Sequence, residues 1–114
     1  MKFKPIIIVA GEPNSVFIEI LIKIIKKKRF KSPLVLICSK KIFIKQAKAL
    51  KEKIQFNEIN ENEISLKKNF LKKFNLIDVE YNQSKAFEKI SSKSNKYIKN
   101  CFDVGLKIMK KKIS

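Results

Sequence analysis

Apolar positions in this chain fall into two kinds of run: short unbroken stretches and longer ones with helical spacing. The segment Pro5–Ala10 (PIIIVA) is continuous, apolar and β-branched, which predicts a strand buried on both faces. Gly11-Glu12-Pro13-Asn14-Ser15 reads as a sharp turn. Pro13 suits a first helical position, and Asn14 or Ser15 can cap. The spacing then predicts a helix to about Lys28, with Val16, Phe17, Ile20, Leu21, Ile24 and Ile25 facing inward. Glu19 and Lys23 form a favourable pair one turn apart on its other side. Lys26-Lys27-Lys28-Arg29 complements the negative end of the helix dipole.

The same alternation then repeats. Ser32-Pro33 breaks the chain, and Leu34–Cys38 (LVLIC) predicts a second buried strand. Ser39 is placed to cap a helix over Lys40–Lys51, with Ile42, Phe43, Ala47 and Leu50 inward. A short third strand is expected at Ile54–Phe56, a polar loop at Asn57–Glu63 and a short helix at Ile64–Lys73. Asn75–Tyr81 (NLIDVEY) reads as a further strand. A final helix covers Asn95–Lys112, with Tyr97, Ile98, Cys101, Phe102, Gly105, Ile108 and Met109 inward. Gly105 on that face allows close packing on a sheet. Strands alternating with helices predict an α/β fold: one domain over residues 1–114, a mainly parallel sheet flanked by helices, and right-handed crossovers. The final helix has the pattern of a crossover with no return strand after it, so the chain is expected to be an incomplete, N-terminal portion of a longer protein.

Composition narrows the chemistry. Apolar residues make up 45% of the 114, enough for a core. With no His there is no Ser-His-Asp group, no His metal ligand and no imidazole switch. The formal net charge is +17, from 27 basic and 10 acidic residues. All but one of the basic residues are Lys, and Ile, Asn and Phe are abundant. AT-rich coding sequence accumulates these residues, whereas proteins that read phosphates and bases lean on the bidentate fork of Arg. Nucleic acid is therefore not the expected partner, although the field should attract polyanions in a salt-sensitive way. The apolar run Ile6–Ala10 is shorter than a secretory core, and no stretch reaches the roughly 20 residues of a membrane span. Cys38 and Cys101 lie far apart in apolar runs and read as small buried hydrophobes. A reduced, cytoplasmic protein without a membrane partner is expected.

The turn after the first strand carries the most chemistry. Ligands of open α/β sheets sit beyond the carboxyl ends of the strands, where helix N-termini favour phosphate or carboxylate. Gly11, Glu12, Pro13, Asn14 and Ser15 are therefore the candidate substrate- or cleft-lining residues. Glu12 opposes a bare anion but can accept from a hydroxyl or an ammonium group. From spacing alone a structural role is favoured: Gly11 making the turn, Glu12 steadying the helix start and Pro13 setting its direction. The spacing is neither GxGxxG nor a P-loop. Asp78 and Glu80 share a strand face as a possible carboxylate pair, with Tyr81 beside them. Ser91, Ser92 and Ser94 precede the last helix as capping candidates. No catalytic residue and no metal ligand is assigned.

PIIIVAGEPNSVFIE, residues 5–19, resembles the amino terminus of the 4-hydroxythreonine-4-phosphate dehydrogenases, NAD-dependent enzymes of pyridoxal phosphate (vitamin B6, pyridoxine) biosynthesis. Gly11, Glu12 and Pro13 match that family's turn, Val16 an aliphatic position and Glu19 a terminal Glu. LVLICSKKIF and the stretch from Asn75 to Lys112 are similar to its later strands and crossover helix. Ser15 and Phe17 depart from the family's glycines, and Ile18 from its Pro. The resemblance implies a Rossmann-like fold of the isocitrate/isopropylmalate dehydrogenase type and a metal-assisted oxidoreductase that is homodimeric at full length. It further implies a phosphorylated small-molecule substrate, NAD and a divalent metal. The ligands for those cofactors are expected outside this chain, which alone is expected to be inactive. Two other readings stay open: a small basic α/β module that binds RNA or another polyanion, and a free-standing Rossmann-like interaction domain.

Overall fold

In the computed structural model, residues 5–27, 31–60, 74–83 and 85–113 are described. Four strands form one parallel sheet: β1 (Ile6–Val9), β2 (Leu34–Cys38), β3 (Asn57–Glu58) and β4 (Phe74–Asp78). Their order across the sheet is β1-β2-β4-β3. Ile6 lies opposite Leu34, Leu34 opposite Phe74, and Asn57 opposite Asn75. Among the described residues, three helices flank the sheet: α1 (Phe17–Lys27), α2 (Lys40–Ala49) and α3 (Asn95–Ile113), the last preceded by a 3-10 turn at Ser92–Ser94. The expected α/β class with a parallel sheet is what the chain forms.

The alternation of side chains in the central strands divides the core in two. Leu34, Leu36 and Cys38 of β2, with Ile8, Phe74 and Leu76, meet Ile18, Leu21 and Ile22 of α1 and Phe43 and Ala47 of α2. Val35 and Ile37 of β2, with Ile7, Val9, Ile77 and Val79, meet Tyr97, Cys101 and Ile108 of α3. Helices α1 and α2 thus share one face, and α3 covers β1 and β2 on the other. Gly105 is what brings α3 close, because a Cβ there would come within 3.1 Å of Val9 Cγ2.

Five expectations shift. The third strand lies at Asn57–Glu58 rather than Ile54–Phe56, inside the stretch expected as loop. Its backbone pairs with β4, and Asn57 Nδ2 donates to Asn75 Oδ1 at 3.1 Å, so polar residues make the edge that apolar patterning missed. Strand β4 spans Phe74–Asp78 and ends before the expected Tyr81, with Val79 N–H making one further bond to the Cys38 carbonyl. Helix α1 starts at Phe17, with Pro13 buried in the turn before it. Its inner face is also rotated: Ile18, Leu21 and Ile22 are buried, whereas Val16, Ile20 and Ile24 are exposed. The apolar arc of the helix, from Ile20 round to Ile22, spans about 200° opposite Glu19, Lys23, Lys26 and Lys27, wider than the face it buries, so periodicity alone does not centre that face. On α3, Tyr97, Cys101, Gly105 and Ile108 are inward as expected, but Phe102 and Met109 are exposed. The helix expected at Ile64–Lys73 lies outside the described residues.

Candidate functional site

All four strands are parallel, so their carboxyl ends share one edge of the sheet. Three segments leave from it side by side: Gly11–Ser15 after β1, Ser39–Lys40 after β2, and Val79–Gln83 after β4. Gly11 has φ 72, a left-handed conformation that glycine adopts without strain, and this reverses the chain out of β1. Glu12 then holds the turn from both carboxylate oxygens. Its Oε1 accepts from the Asn14 backbone N–H at 3.1 Å, and its Oε2 accepts from the Ser94 hydroxyl at 2.9 Å. Ser15 Oγ accepts from Phe17 N–H, the first residue of α1, and donates to the Glu12 carbonyl.

The chain from β4 to α3 crosses over this edge and is tied to the turn. Asn14 and Gln83 exchange side-chain hydrogen bonds: Asn14 Nδ2 donates to Gln83 Oε1 at 3.2 Å, and Gln83 Nε2 donates to Asn14 Oδ1 at 2.8 Å. Asn14 Oδ1 also accepts from the Glu88 N–H. Gln46, fully buried on α2, donates from Nε2 to the carbonyls of Pro13 at 2.6 Å and Ala86 at 2.9 Å. Lys45 Nζ donates to the Gln83 carbonyl. The five candidate residues are therefore brought together at one place. The structure places Glu12, Asn14 and Ser15 in hydrogen bonds within the chain, which gives the structural role weighed above for Glu12 a definite geometry. Gln46, Gln83, Glu88 and Ser94 were not legible as members of this group. Gln46 carried one signal, a polar residue at an inward helical position between Phe43 and Ala47. The other three join only through contacts distant in sequence.

The N-terminus of α2 is also filled from within. Ser39 caps it, its Oγ accepting from Ile42 N–H, while Asp78 Oδ1 accepts from Lys40 N–H at 2.8 Å. Asp78 is thus engaged with a helix start, and Glu80 lies exposed on the connection beyond the strand. Ser91 accepts from Lys93 N–H and opens the turn before α3. Tyr81 stacks on Tyr97 with ring centroids 4.8 Å apart, and Tyr97 Oη accepts from the Ser39 N–H at 2.7 Å. Burial raises the ionisation of the Tyr97 hydroxyl well above the usual range, so it stays protonated. Burial likewise pushes the Cys101 thiol up to about 11, and raises Cys38 further with the help of Cys101. Both thiols are free, buried and protonated at neutral pH, which removes them as nucleophiles.

Neither implied cofactor fits these residues as they stand. A pyrophosphate at the α1 N-terminus would meet the Glu12 carboxylate and a turn whose polar side chains are already bonded to one another. Among the described residues, no three His, Cys, Asp or Glu side chains converge as a metal site. No described helix is long and apolar enough to cross a membrane. Compared with known proteins, the chain matches no family model, and no curated protein matches it in sequence.

Proposed function

We propose that the chain forms one wall of the substrate cleft of a dehydrogenase of the 4-hydroxythreonine-4-phosphate type, in the cytoplasmic synthesis of pyridoxal phosphate. The observation that supports this reading is the position of the Gly11-Glu12-Pro13 turn. It leaves the carboxyl end of a parallel strand with Gly11 at positive φ and runs into a helix, where α/β sheets bind ligands. Such an enzyme would oxidise the alcohol of a phosphorylated hydroxy amino acid, with NAD as the oxidant and a divalent metal as Lewis acid. Among the described residues no metal ligand set converges, and what the turn offers a substrate is shape and hydrogen bonding. Glu12 would accept from a hydroxyl or ammonium group of the substrate in exchange for Ser94. The amide groups of Asn14 and Gln83, on the same turn, would follow.

Titration calorimetry of the chain with 4-hydroxythreonine 4-phosphate, in the presence of NAD and Mg²⁺, tests this. Saturable binding that inorganic phosphate does not reproduce, and that Glu12→Ala abolishes with the circular dichroism unchanged, is the expected result. A folded chain that binds the phosphorylated amino acid no better than inorganic phosphate removes the reading.

A further inference from the structure

The chain between β4 and α3 passes over the Gly11–Ser15 turn with little apolar anchorage. From Lys85 to Lys93 no residue is fully buried. The two large apolar side chains of this stretch, Phe87 and Ile90, are 37% and 60% exposed. It forms neither helix nor strand before the 3-10 turn at Ser92. The buried residues on either side of it, Gln83 and Ser94, are polar, and each bonds to the turn. Gln83 exchanges hydrogen bonds with the Asn14 amide, and the Ser94 hydroxyl donates to Glu12 Oε2. Between them, the Glu88 N–H donates to Asn14 Oδ1 at 2.8 Å, and the Ala86 carbonyl accepts from Gln46 Nε2 at 2.9 Å. The stretch is thus fastened to the turn by hydrogen bonds, which water can replace. Segments with few buried apolar contacts open well before the whole fold does.

Closing over the turn also carries a cost. Gln46 is fully buried, and its Nε2 donates to Pro13 of the turn and to Ala86 of the stretch above it. Its Oε1 is buried with no hydrogen-bond partner among the described residues. A buried acceptor without a donor is destabilising, whereas the same group in water is satisfied. Gln46 is held between the two segments, so lifting Ala86 away opens its amide to donors.

We propose that residues 85–94 form a strap that opens between Gln83 and α3 while the sheet stays folded, and that the closed strap is an autoinhibitory contact on the turn. Closed, its own donors fill the acceptors of the turn: the Ser94 hydroxyl on Glu12 and the Glu88 N–H on Asn14. Opening releases Glu12 Oε2 and uncovers Gln46, which gives a ligand with ammonium or hydroxyl donors its place. The inhibitory role rests on the cleft proposed above; the opening itself does not.

Amide hydrogen exchange followed by NMR on the intact chain needs no ligand, so its outcome is separate from that of the calorimetry. The Glu88 N–H should be protected about tenfold or more against an unfolded peptide, yet exchange about a hundredfold or more faster than Leu36 and Ile37 of β2, the strand paired on both sides. Asn14→Ala removes the acceptor of that N–H and should take it close to the unfolded rate, with β2 unchanged. Ser94→Ala frees the other end and should speed exchange over residues 86–90 by about tenfold. Labelling of carboxyl groups with a carbodiimide and glycine ethyl ester reads the shielding. Glu12 should react several-fold faster in Ser94→Ala, measured against Glu19 on α1. A Glu88 N–H that exchanges only at the rate of β2 overturns the proposal, because the strap then opens only when the whole fold does. So does a Glu88 N–H with no protection, a variant that speeds β2 as much as the strap, or Glu12 labelling indifferent to Ser94→Ala.

Discussion

At Gly105, an added Cβ would sit 3.1 Å from Val9 Cγ2 and 3.6 Å from Ile37 Cδ1, both in the packed layer beneath α3. Gly105→Ala should therefore displace the Val9 side chain by a few tenths of an ångström. The overpacking costs about 1 kcal/mol and is offset in part by the higher helix propensity of Ala, so the net change in stability should be within about 1 kcal/mol. At Gly11 there is nothing within 4 Å of an added Cβ, but φ is 72. Gly11→Ala should cost about 1–2 kcal/mol through backbone strain alone. The same urea titration separates the two causes when each site is also changed to a larger residue. Gly105→Val should be much worse than Gly105→Ala, whereas at Gly11 side-chain size should matter little beyond Ala. Equal size dependence at both sites would contradict this account. The buried thiols give a second residue-level test. Cys101 ionises near 9.0 when unperturbed, and burial raises it to about 11 in the fold. The unfolded chain thus loses this proton first as pH rises. The stability linked to the thiol is complete below pH 9.0 and is lost toward about 11. Thiolate absorbance should accordingly appear at a higher pH in the folded chain than in the urea-unfolded chain. Coincident titration curves would show that the thiols are not buried as described.

Among the helices, α2 was the most legible. Ser39 caps it, and Ile42, Phe43 and Ala47 face inward, as the pattern requires. Its exit was not legible. Lys51 takes φ 58, a left-handed conformation usual for glycine, while its N–H and that of Glu52 close onto Lys48 and Ala47 carbonyls. Lys51→Gly should relieve that strain and stabilise the chain by up to about 1 kcal/mol, read as a higher urea midpoint at unchanged slope. A lower midpoint would mean that the Lys side chain contributes more than the strain costs. The buried strand β2 was read residue for residue, because an unbroken apolar run has one stable home in a parallel sheet, and β4 was read within a few residues from Leu76 and Ile77 at its centre. Strand β3 was not, because Asn57 and Glu58 enter the sheet through backbone pairing and an Asn–Asn bond that hydropathy does not register. The face of α1 failed for a related reason. Its apolar arc is wider than the face it buries, so α2 and the sheet select Ile18, Leu21 and Ile22 from within it. At the candidate site, the Gly11–Ser15 turn was legible as a place. Its partners Gln83, Glu88 and Ser94 arrive from some seventy to eighty positions away, a separation no local pattern encodes.

Over the whole molecule, the charge decides between contact with any polyanion and recognition of a particular one. With 27 basic residues against 10 acidic, the field of the chain attracts nucleic acid at low salt whatever its sequence. The side chains argue against recognition. The basic residues are all Lys but one, and four described lysines already pair with Glu or Asp at 2.7–3.2 Å. The best-placed aromatic pair, Tyr81 and Tyr97, stacks on itself, and Tyr97 is buried, so it offers no platform to a base. Two unrelated single-stranded oligonucleotides should therefore bind alike at low salt. Their affinity should fall together as salt rises, by a slope of about 0.7 per phosphate contact on a double-logarithmic plot. By about 0.15 M NaCl, where charges are screened beyond ~8 Å, little binding should remain. Fluorescence anisotropy against salt measures this directly. A preference of tenfold or more for one sequence, surviving at that salt, would require contacts beyond the Lys field and would favour the basic-module reading over the dehydrogenase wall.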